Sequence, residues 1–361
     1  MKPTLQMDLN KIRNNTRELV RKAKEQNITV TGITKGVCGN MDVAQTLIEA
    51  GVDYLADSRI ENLINIHSLP VEKMLLRSPK LSEVQEVVQY ADYSLNSEIT
   101  VIKALSAAAI SQGKTHKVIL MMDVGDLREG LWFEETEKIY AVVKQILQLN
   151  GVYLAGIGTN LTCFGGVIPT EENYGIITKM AEKLRTDFSI ELPIVSGGNS
   201  SCLHLLYERA IPRGLNNVRI NQAIFLGTEL AYGKRIDGWE AHAIRLQAEI
   251  IELQEKPSLP QGEIAYMNAF GKPISPIDKG IRKRAILAIG RQDIDISGLV
   301  AIDKTITVEG ASSDHLIVDV TDSGEHFAVG DMITFHLNTY ASVLSGMASN
   351  YIDQVVFHEV L

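Results

Sequence analysis

The chain has 361 residues, 45% hydrophobic and 22% charged, with a formal net charge of −9. That is the composition of an ordinary globular protein long enough to bury a sizeable core. The acidic balance argues against nucleic acid, which would want a basic face, and no apolar run approaches the length of a membrane span. The start MKPTLQMDLN lacks the apolar core of a signal peptide, and Cys38, Cys163 and Cys202 are too scattered for a disulfide framework or a zinc site. A reduced cytoplasm is the expected compartment, with neither a nucleic-acid nor a membrane partner.

In chain order, short apolar runs at 28–35, 53–57, 73–77, 92–96, 117–124, 152–159, 192–197 and 217–226 predict eight strands. Segments of helical character fall at 9–26, 41–51, 57–67, 81–90, 97–113, 134–149, 170–188 and 199–208. Asp8 or Asn10 suits the cap of the first helix, and Thr170, followed by Glu171 and Glu172, opens another. The alternation predicts an α/β protein whose residues 1–237 form a (β/α)8 barrel, with a doubly wound sheet as the alternative. Near residue 238 the pattern changes. Alternating segments at 243–250, 283–289, 305–308 and 315–320, with only 341–350 helical, predict a C-terminal β-domain over 238–361. The first residues, to about Asp8, are open to pairing with that domain.

Ligand-binding groups of a barrel gather at the C-terminal ends of its strands. Lys35 stands at such an end, after the run Ile28-Thr29-Val30-Thr31-Gly32-Ile33-Thr34. An unpaired ammonium is costly to bury, and burial lowers its pKa, so this lysine suits a Schiff base with an aldehyde. A lysine that snorkels or pairs with a carboxylate is the plain alternative. Arg128, Asn160 and Ser200 follow other strands on the same side of the predicted barrel, and Arg219 and Gly227 lie around the eighth.

Ser196-Gly197-Gly198-Asn199-Ser200-Ser201 leads from a strand to a helix, where free N–H groups favour an anion and hydroxyls add donors. A capped glycine turn reads the same way. Phe225-Leu226-Gly227-Thr228-Glu229 offers a second glycine at the next strand end, and nests after strands seven and eight are where barrels commonly hold phosphate. Arg128 lies in the polar loop Asp123–Gly130 and suits a phenolate or carboxylate, or else an ion pair with Asp123, Asp126 or Glu129. Arg219, between Val218 and Ile220, needs a partner if buried, and beside a pyridine ring it would keep the nitrogen unprotonated.

At these residues the chain resembles the alanine racemase superfamily, the fold type III enzymes that use pyridoxal phosphate, and within it the ornithine, lysine and broad-specificity racemase group. The resemblance spans nearly the whole chain. Pro3-Thr4-Leu5-Gln6-Met7-Asp8-Leu9 is similar to the family's opening strand, and Thr34-Lys35-Gly36-Val37-Cys38-Gly39 to its cofactor-lysine segment. Asp123–Gly130 matches the motif D-x-G-x-x-R-x-G, whose arginine contacts the cofactor's phenolic oxygen and the substrate carboxylate. The resemblance further implies a phosphate site at Asn199 and Ser200, with Ser201, Gly227 and Thr228 beside it. It implies that Arg219 faces the pyridine nitrogen and that Tyr340, in Asn338-Thr339-Tyr340, reaches the phosphate.

Departures from the family pattern bear on the substrate. Gly290-Arg291-Gln292-Asp293-Ile294-Asp295 lacks the tyrosine that serves as the second base, and Ser312-Ser313-Asp314 replaces Cys-Met-Asp. Asn160 replaces the ring-packing histidine, Cys38-Gly39 the cofactor-loop tyrosine, and Met121 a lysine that is carbamylated in some relatives.

The resemblance thus implies a PLP-dependent amino-acid racemase, with Lys35 as one acid/base at Cα and a second group on the opposite face. Asp293 and, from the barrel loop, Cys163 are the candidates for that group, although Asp293 reads more readily as an ion-pair residue and Cys163 as a small buried one. Arg291 does not deprotonate easily and suits orienting a carboxylate, so Arg128, Arg291, Ser313 and Asp314 make up the expected substrate set. Ser312-Ser313 leaves room beyond Cβ, and Asp293, Asp295 or Asp314 suits a terminal ammonium, which favours ornithine or lysine. No second base is evident among the barrel loops, so a homodimer with shared sites is expected. No metal is expected, since His315, His326 and His336 show no ligand spacing. The alternatives are an alanine or serine racemase, decarboxylation or lyase chemistry on the same cofactor, and a PLP-binding protein without turnover.

Overall fold

The structure, a computed structural model, describes residues 1–358. Its chain divides into two compact units, one of Asp8–Ala243 and one in which Met1–Met7 joins Ile244–Phe357. Asp8 ends the strand Thr4–Asp8, and its Oδ1 accepts the backbone N–H of Asn10 and Lys11 at 2.9 and 3.2 Å. It therefore caps the helix Leu9–Lys24, whose last turn carries Arg21, Lys22 and Lys24 against the negative end of the helix dipole.

Eight parallel strands follow in the first unit: Thr29–Ile33, Tyr54–Asp57, Lys73–Leu75, Tyr93–Asn96, His116–Asp123, Val152–Gly158, Ile194–Ser196 and Asn217–Ile220. Neighbours in chain order pair in parallel, and the last strand returns to pair with the first, so the sheet closes into the expected barrel. Ile33, Ala56, Met74, Leu95, Ile119, Met121 and Ala155 pack inside it. Met121 is fully buried there among apolar side chains.

The apolar run 217–226 is not one strand, which corrects the expected eighth element. The strand stops at Ile220, and Gln222–Leu226 forms a short helix that ends on Gly227 at φ +70. Ser200 Oγ accepts the backbone N–H of Asn221 and Ala223 at 3.4 and 3.2 Å and so seats the start of that helix. A Cβ at residue 227 would lie 2.6 Å from the Glu240 carbonyl oxygen. Gly227 is thus a left-handed helix terminus under close backbone packing, not a strand end.

The second unit is an antiparallel sheet in the order Leu299–Ala301, Met332–Leu337, Ile244–Pro257, Ile281–Leu287, Leu316–Asp319, Thr307–Ala311. Thr4–Asp8 pairs with Ile244–Pro257, and Asp353–Phe357 pairs with Thr4–Asp8. The helix Tyr340–Ala348 belongs to this unit. Alternation of apolar and polar residues did not single out Leu299–Ala301, Met332–Leu337 or Asp353–Phe357. Among the described residues no helix is long and apolar enough to cross a membrane.

Candidate active site

Lys35 leaves the first barrel strand on a 3-10 turn, Lys35–Val37. The preceding Thr34 donates its hydroxyl hydrogen to Asp57 Oδ2 at 2.7 Å. Asp57 Oδ1 accepts from the Arg59 backbone N–H at 3.0 Å and from Asn62 Nδ2 at 2.9 Å. This fully buried carboxylate, which sequence reasoning missed, ties the lysine's turn to the next strand. Burial raises the pKa of Asp57, while its bonds to Thr34, Arg59 and Asn62 pull the other way. The Lys35 ammonium forms no hydrogen bond or ion pair with the described residues. Burial lowers its pKa, Arg128 and Arg219 push in the same direction, and Cys163 and Asp57 oppose them.

A cavity of ≈ 380 Å³ opens over Lys35 at the C-terminal end of the strands, and Arg128, Glu129, Asn160, Cys163, Asn199 and Arg219 line it, with Ile33, Leu76 and Leu95 as an apolar wall. That size is ample for a small cofactor with a substrate. Arg219 is 2% exposed yet faces no carboxylate. Its donors go to Ser196 Oγ, to the Thr159 carbonyl oxygen at 2.8 Å and to Asn160 Oδ1 at 2.6 Å. Desolvation lowers its pKa. Asn160 then donates from Nδ2 to Glu129 Oε1 at 2.6 Å, and Arg128 grips both Glu129 oxygens through Nε and Nη2. Burial opposes the charge on Arg128, but its bonds to Glu129 outweigh that and raise its pKa.

Glu129 is therefore the carboxylate that pairs with Arg128. Asp123 and Asp126 are spent on backbone. Asp123 Oδ1 accepts from the Gly125 and Leu127 N–H at 2.9 and 3.2 Å. Asp126, 1% exposed, accepts from Thr162, Phe164 and Val167 at 2.9, 2.9 and 3.2 Å, and so shapes the loop that carries Cys163. Cys163 is exposed, and its Sγ accepts from Asn199 Nδ2 at 3.0 Å. Ser58, Arg77 and Ser78 also line the cavity and were not singled out. Their positions just past the second and third barrel strands were the available signal.

On the expected phosphate side, Asn199 Oδ1 caps the turn Ser200–Cys202 through the Ser201 N–H at 2.8 Å. Ser200 accepts two N–H groups, so its own hydroxyl hydrogen is left to donate. Ser201 Oγ is fully buried and has no hydrogen-bond partner. Asn199 lines the cavity, whereas Ser200, Ser201, Gly227 and Thr228 do not, and Thr228 bridges to Arg235 in the turn beyond the short helix.

The remaining candidates lie in the sheet unit. Asp293, 7% exposed, closes its own turn by accepting the Gly290 N–H on Oδ2 at 3.0 Å. Arg291 donates from Nε to the Ala311 carbonyl oxygen at 3.0 Å and stacks its guanidinium on Phe270, 4.8 Å from the ring centroid. Ser312 and Ser313 donate to Asp314 Oδ1 at 3.1 Å, His315 Nδ1 lies 2.9 Å from the same oxygen, and these contacts hold the Asp314 pKa below its usual range. Tyr340 begins a helix capped by Thr339.

A closed parallel barrel with a lysine and three arginines around one cavity at its C-terminal end, followed by an antiparallel sheet, defines a class of barrel enzymes that hold an anionic aldehyde cofactor. Comparison with known proteins makes the class specific. Residues 7–228 match the family described as alanine racemase, N-terminal domain. The chain is 47% identical to the ornithine racemase of Acetoanaerobium sticklandii over 98% of this chain and 99% of that protein. It is 40% identical to the lysine racemase of Thermotoga maritima, over 98% of each chain. Among solved structures, the alanine racemase of Bartonella henselae with covalently bound pyridoxal phosphate superposes with a TM-score of 0.72 at 18% identity, over 99% of this chain and 100% of that one. The chain belongs to the alanine racemase family.

The residues present fit pyridoxal phosphate, the cofactor of that family. Lys35 offers an amine with no competing partner to an aldehyde. Arg219 is a permanent donor suited to a neutral ring nitrogen, and the unsatisfied Ser201 hydroxyl is a buried group suited to a phosphate oxygen.

Proposed function

We propose that the protein interconverts the L and D forms of an amino acid, with ornithine favoured and lysine next, using pyridoxal phosphate held at Lys35. One observation carries this reading: an unpartnered Lys35 ammonium, its pKa lowered by burial, shares one cavity with Arg128 and Arg219. The ornithine and lysine racemases that resemble the chain over nearly their full lengths support the choice of substrate.

Bound cofactor supplies the aldehyde that takes up the substrate amine and an electron sink that acidifies the Cα proton. Neutral Lys35 accepts that proton from one face of Cα, as its lowered pKa equips it to do. The outer edge of Arg128, left free by Glu129, holds the substrate carboxylate. Arg219 has hydrogens only to donate, so it leaves a facing ring nitrogen unprotonated. For the opposite face, two groups enter the reading: Cys163, which lines the cavity, and Asp293 from a second chain. From the sheet of a second chain, Arg291, Ser313 and Asp314 complete the substrate side, Asn199, Ser200 and Ser201 hold the phosphate, and the working form is a cytoplasmic homodimer.

The test is incubation with L-ornithine, L-lysine, L-alanine and L-serine, with products resolved on a chiral column. D-ornithine and D-lysine are expected, with kcat/KM for both above that for alanine. A preference for alanine would remove the substrate assignment. Loss of carbon dioxide or release of ammonia without any D-product would overturn racemisation itself.

A further inference from the structure

We propose that Glu129 is a positioning residue that makes Arg128 and Arg219 a single unit, with Asn160 as the link between them; the idea rests on the racemase reading above. Three observations converge on it. Both Glu129 oxygens accept from Arg128, through Nε and Nη2. The oxygen that takes Nη2 also takes the Asn160 amide at 2.6 Å. The other end of that amide receives Arg219 at 2.6 Å.

Charge gives the arrangement its purpose. Arg77 in the cavity wall is answered by Glu83, which leaves the cations Lys35, Arg128 and Arg219, and Glu129 is the only carboxylate among the described residues that line the cavity. Without an anion, the two guanidiniums would repel each other and the lysine across a partly desolvated space. A carboxylate fixed on the Nε side of Arg128 neutralises one charge and leaves Nη1 without a hydrogen bond among the described residues, at a residue that lines the cavity. Arg128 then meets an anion with its orientation already set, so less side-chain entropy is lost on binding. The Asn160 amide cannot flip, because its oxygen faces a cation and its nitrogen an anion. In this way the carboxylate also sets where Arg219 points.

Glu129→Gln is the informative change, since it keeps the shape and removes the charge. One oxygen becomes an NH2 group, a donor that faces Arg128 in either orientation and Asn160 as well if it replaces Oε1, and the clamp opens. The variant is compared with wild type, with Arg128→Lys and with the double variant. Apo-protein is titrated with pyridoxal phosphate by absorbance, KM and kcat for ornithine are measured, and melting curves control for folding. Glu129→Gln should weaken cofactor binding and raise KM for ornithine, each by about tenfold, with kcat falling less. In the Arg128→Lys background the same change should have a smaller effect, because only the path through Asn160 to Arg219 is left. Should the glutamine chain not fold, Glu129→Asp takes its place with a smaller loss of the same kind. Equal effects in both backgrounds, or a cofactor affinity within about twofold of wild type, overturn the proposal. Absence of turnover with every amino acid in the wild type would refute the racemase reading alone, because the titration still decides the role of Glu129.

Discussion

Thr34 Oγ1 donates to Asp57 Oδ2 at 2.7 Å, one residue before Lys35. Through this bond, a carboxylate at the end of the second barrel strand holds the turn at the end of the first. Asp57 also raises the Lys35 pKa against the larger lowering by burial. Asp57→Asn keeps the shape and removes the charge, so the Lys35 pKa should fall further. The rate of covalent pyridoxal phosphate attachment, followed against pH, should then reach its plateau at a lower pH than in wild type. A midpoint that stays put or rises would show that Asp57 does not act on the lysine.

Lys35→Ala should end covalent retention of the cofactor while leaving the melting temperature within a few degrees, since a side chain without partners is removed. The measurement is the phosphopyridoxyl mass left on the chain after borohydride reduction. A retained adduct would mean that another lysine holds the group.

Gly130 closes the Arg128 loop at φ +133, and a Cβ there would lie 2.3 Å from the Asp123 backbone nitrogen. Gly130→Ala should displace the loop and cost about 2–4 kcal/mol of stability, along with most of the cofactor affinity. Urea unfolding together with cofactor titration checks both.

His116, at the start of the fifth barrel strand, is buried against Ser94 Oγ with its pKa pushed down to about 4 from 6.5. Between those values the unfolded chain binds a proton that the folded chain refuses. Stability therefore rises with pH through that window and is lost as pH falls, by up to about 3 kcal/mol. His116→Gln should flatten this acid-side slope. Unfolding free energies at pH 7, 5.5 and 4 give the comparison, and an unchanged slope would exclude His116 as its source.

If Asp293 from a second chain serves the opposite face, Lys35→Ala and Asp293→Asn chains should each be inactive and should recover activity when mixed. About a quarter of the sites would then be intact, because half the dimers are mixed and each has one whole site. Asparagine is chosen because it still accepts the Gly290 N–H on its oxygen. Full activity of Asp293→Asn alone would direct the assignment to Cys163.

Much of the architecture is legible in the sequence because the period of apolar residues and the capping chemistry are local physics. The strand before Lys35, the cap at Thr170 and the change to alternation after residue 238 all announce themselves within a few residues. The weak edge strands Leu299–Ala301 and Asp353–Phe357 do not, since their pairing partners lie far away in sequence. Nor does the end of the last barrel strand. Ile220 and Ile224 are equally apolar, and only the Ser200 hydroxyl, brought in from the preceding strand, seats a helix between them.

The same division runs through the site. Sequence alone determined that a lysine, two arginines and an asparagine would share one end of a barrel, because each lies at or just past the end of a buried strand. It did not determine which acid answers Arg128, since Asp123, Asp126 and Glu129 stand within five residues of it. Tertiary structure decided in favour of Glu129. Backbone N–H groups of a tight turn and of the loop 162–167 converge on the buried Asp123 and Asp126 carboxylates, which are thereby already satisfied and not left for Arg128. Glu129 has no such backbone to satisfy, so its carboxylate is left for Arg128 and Asn160.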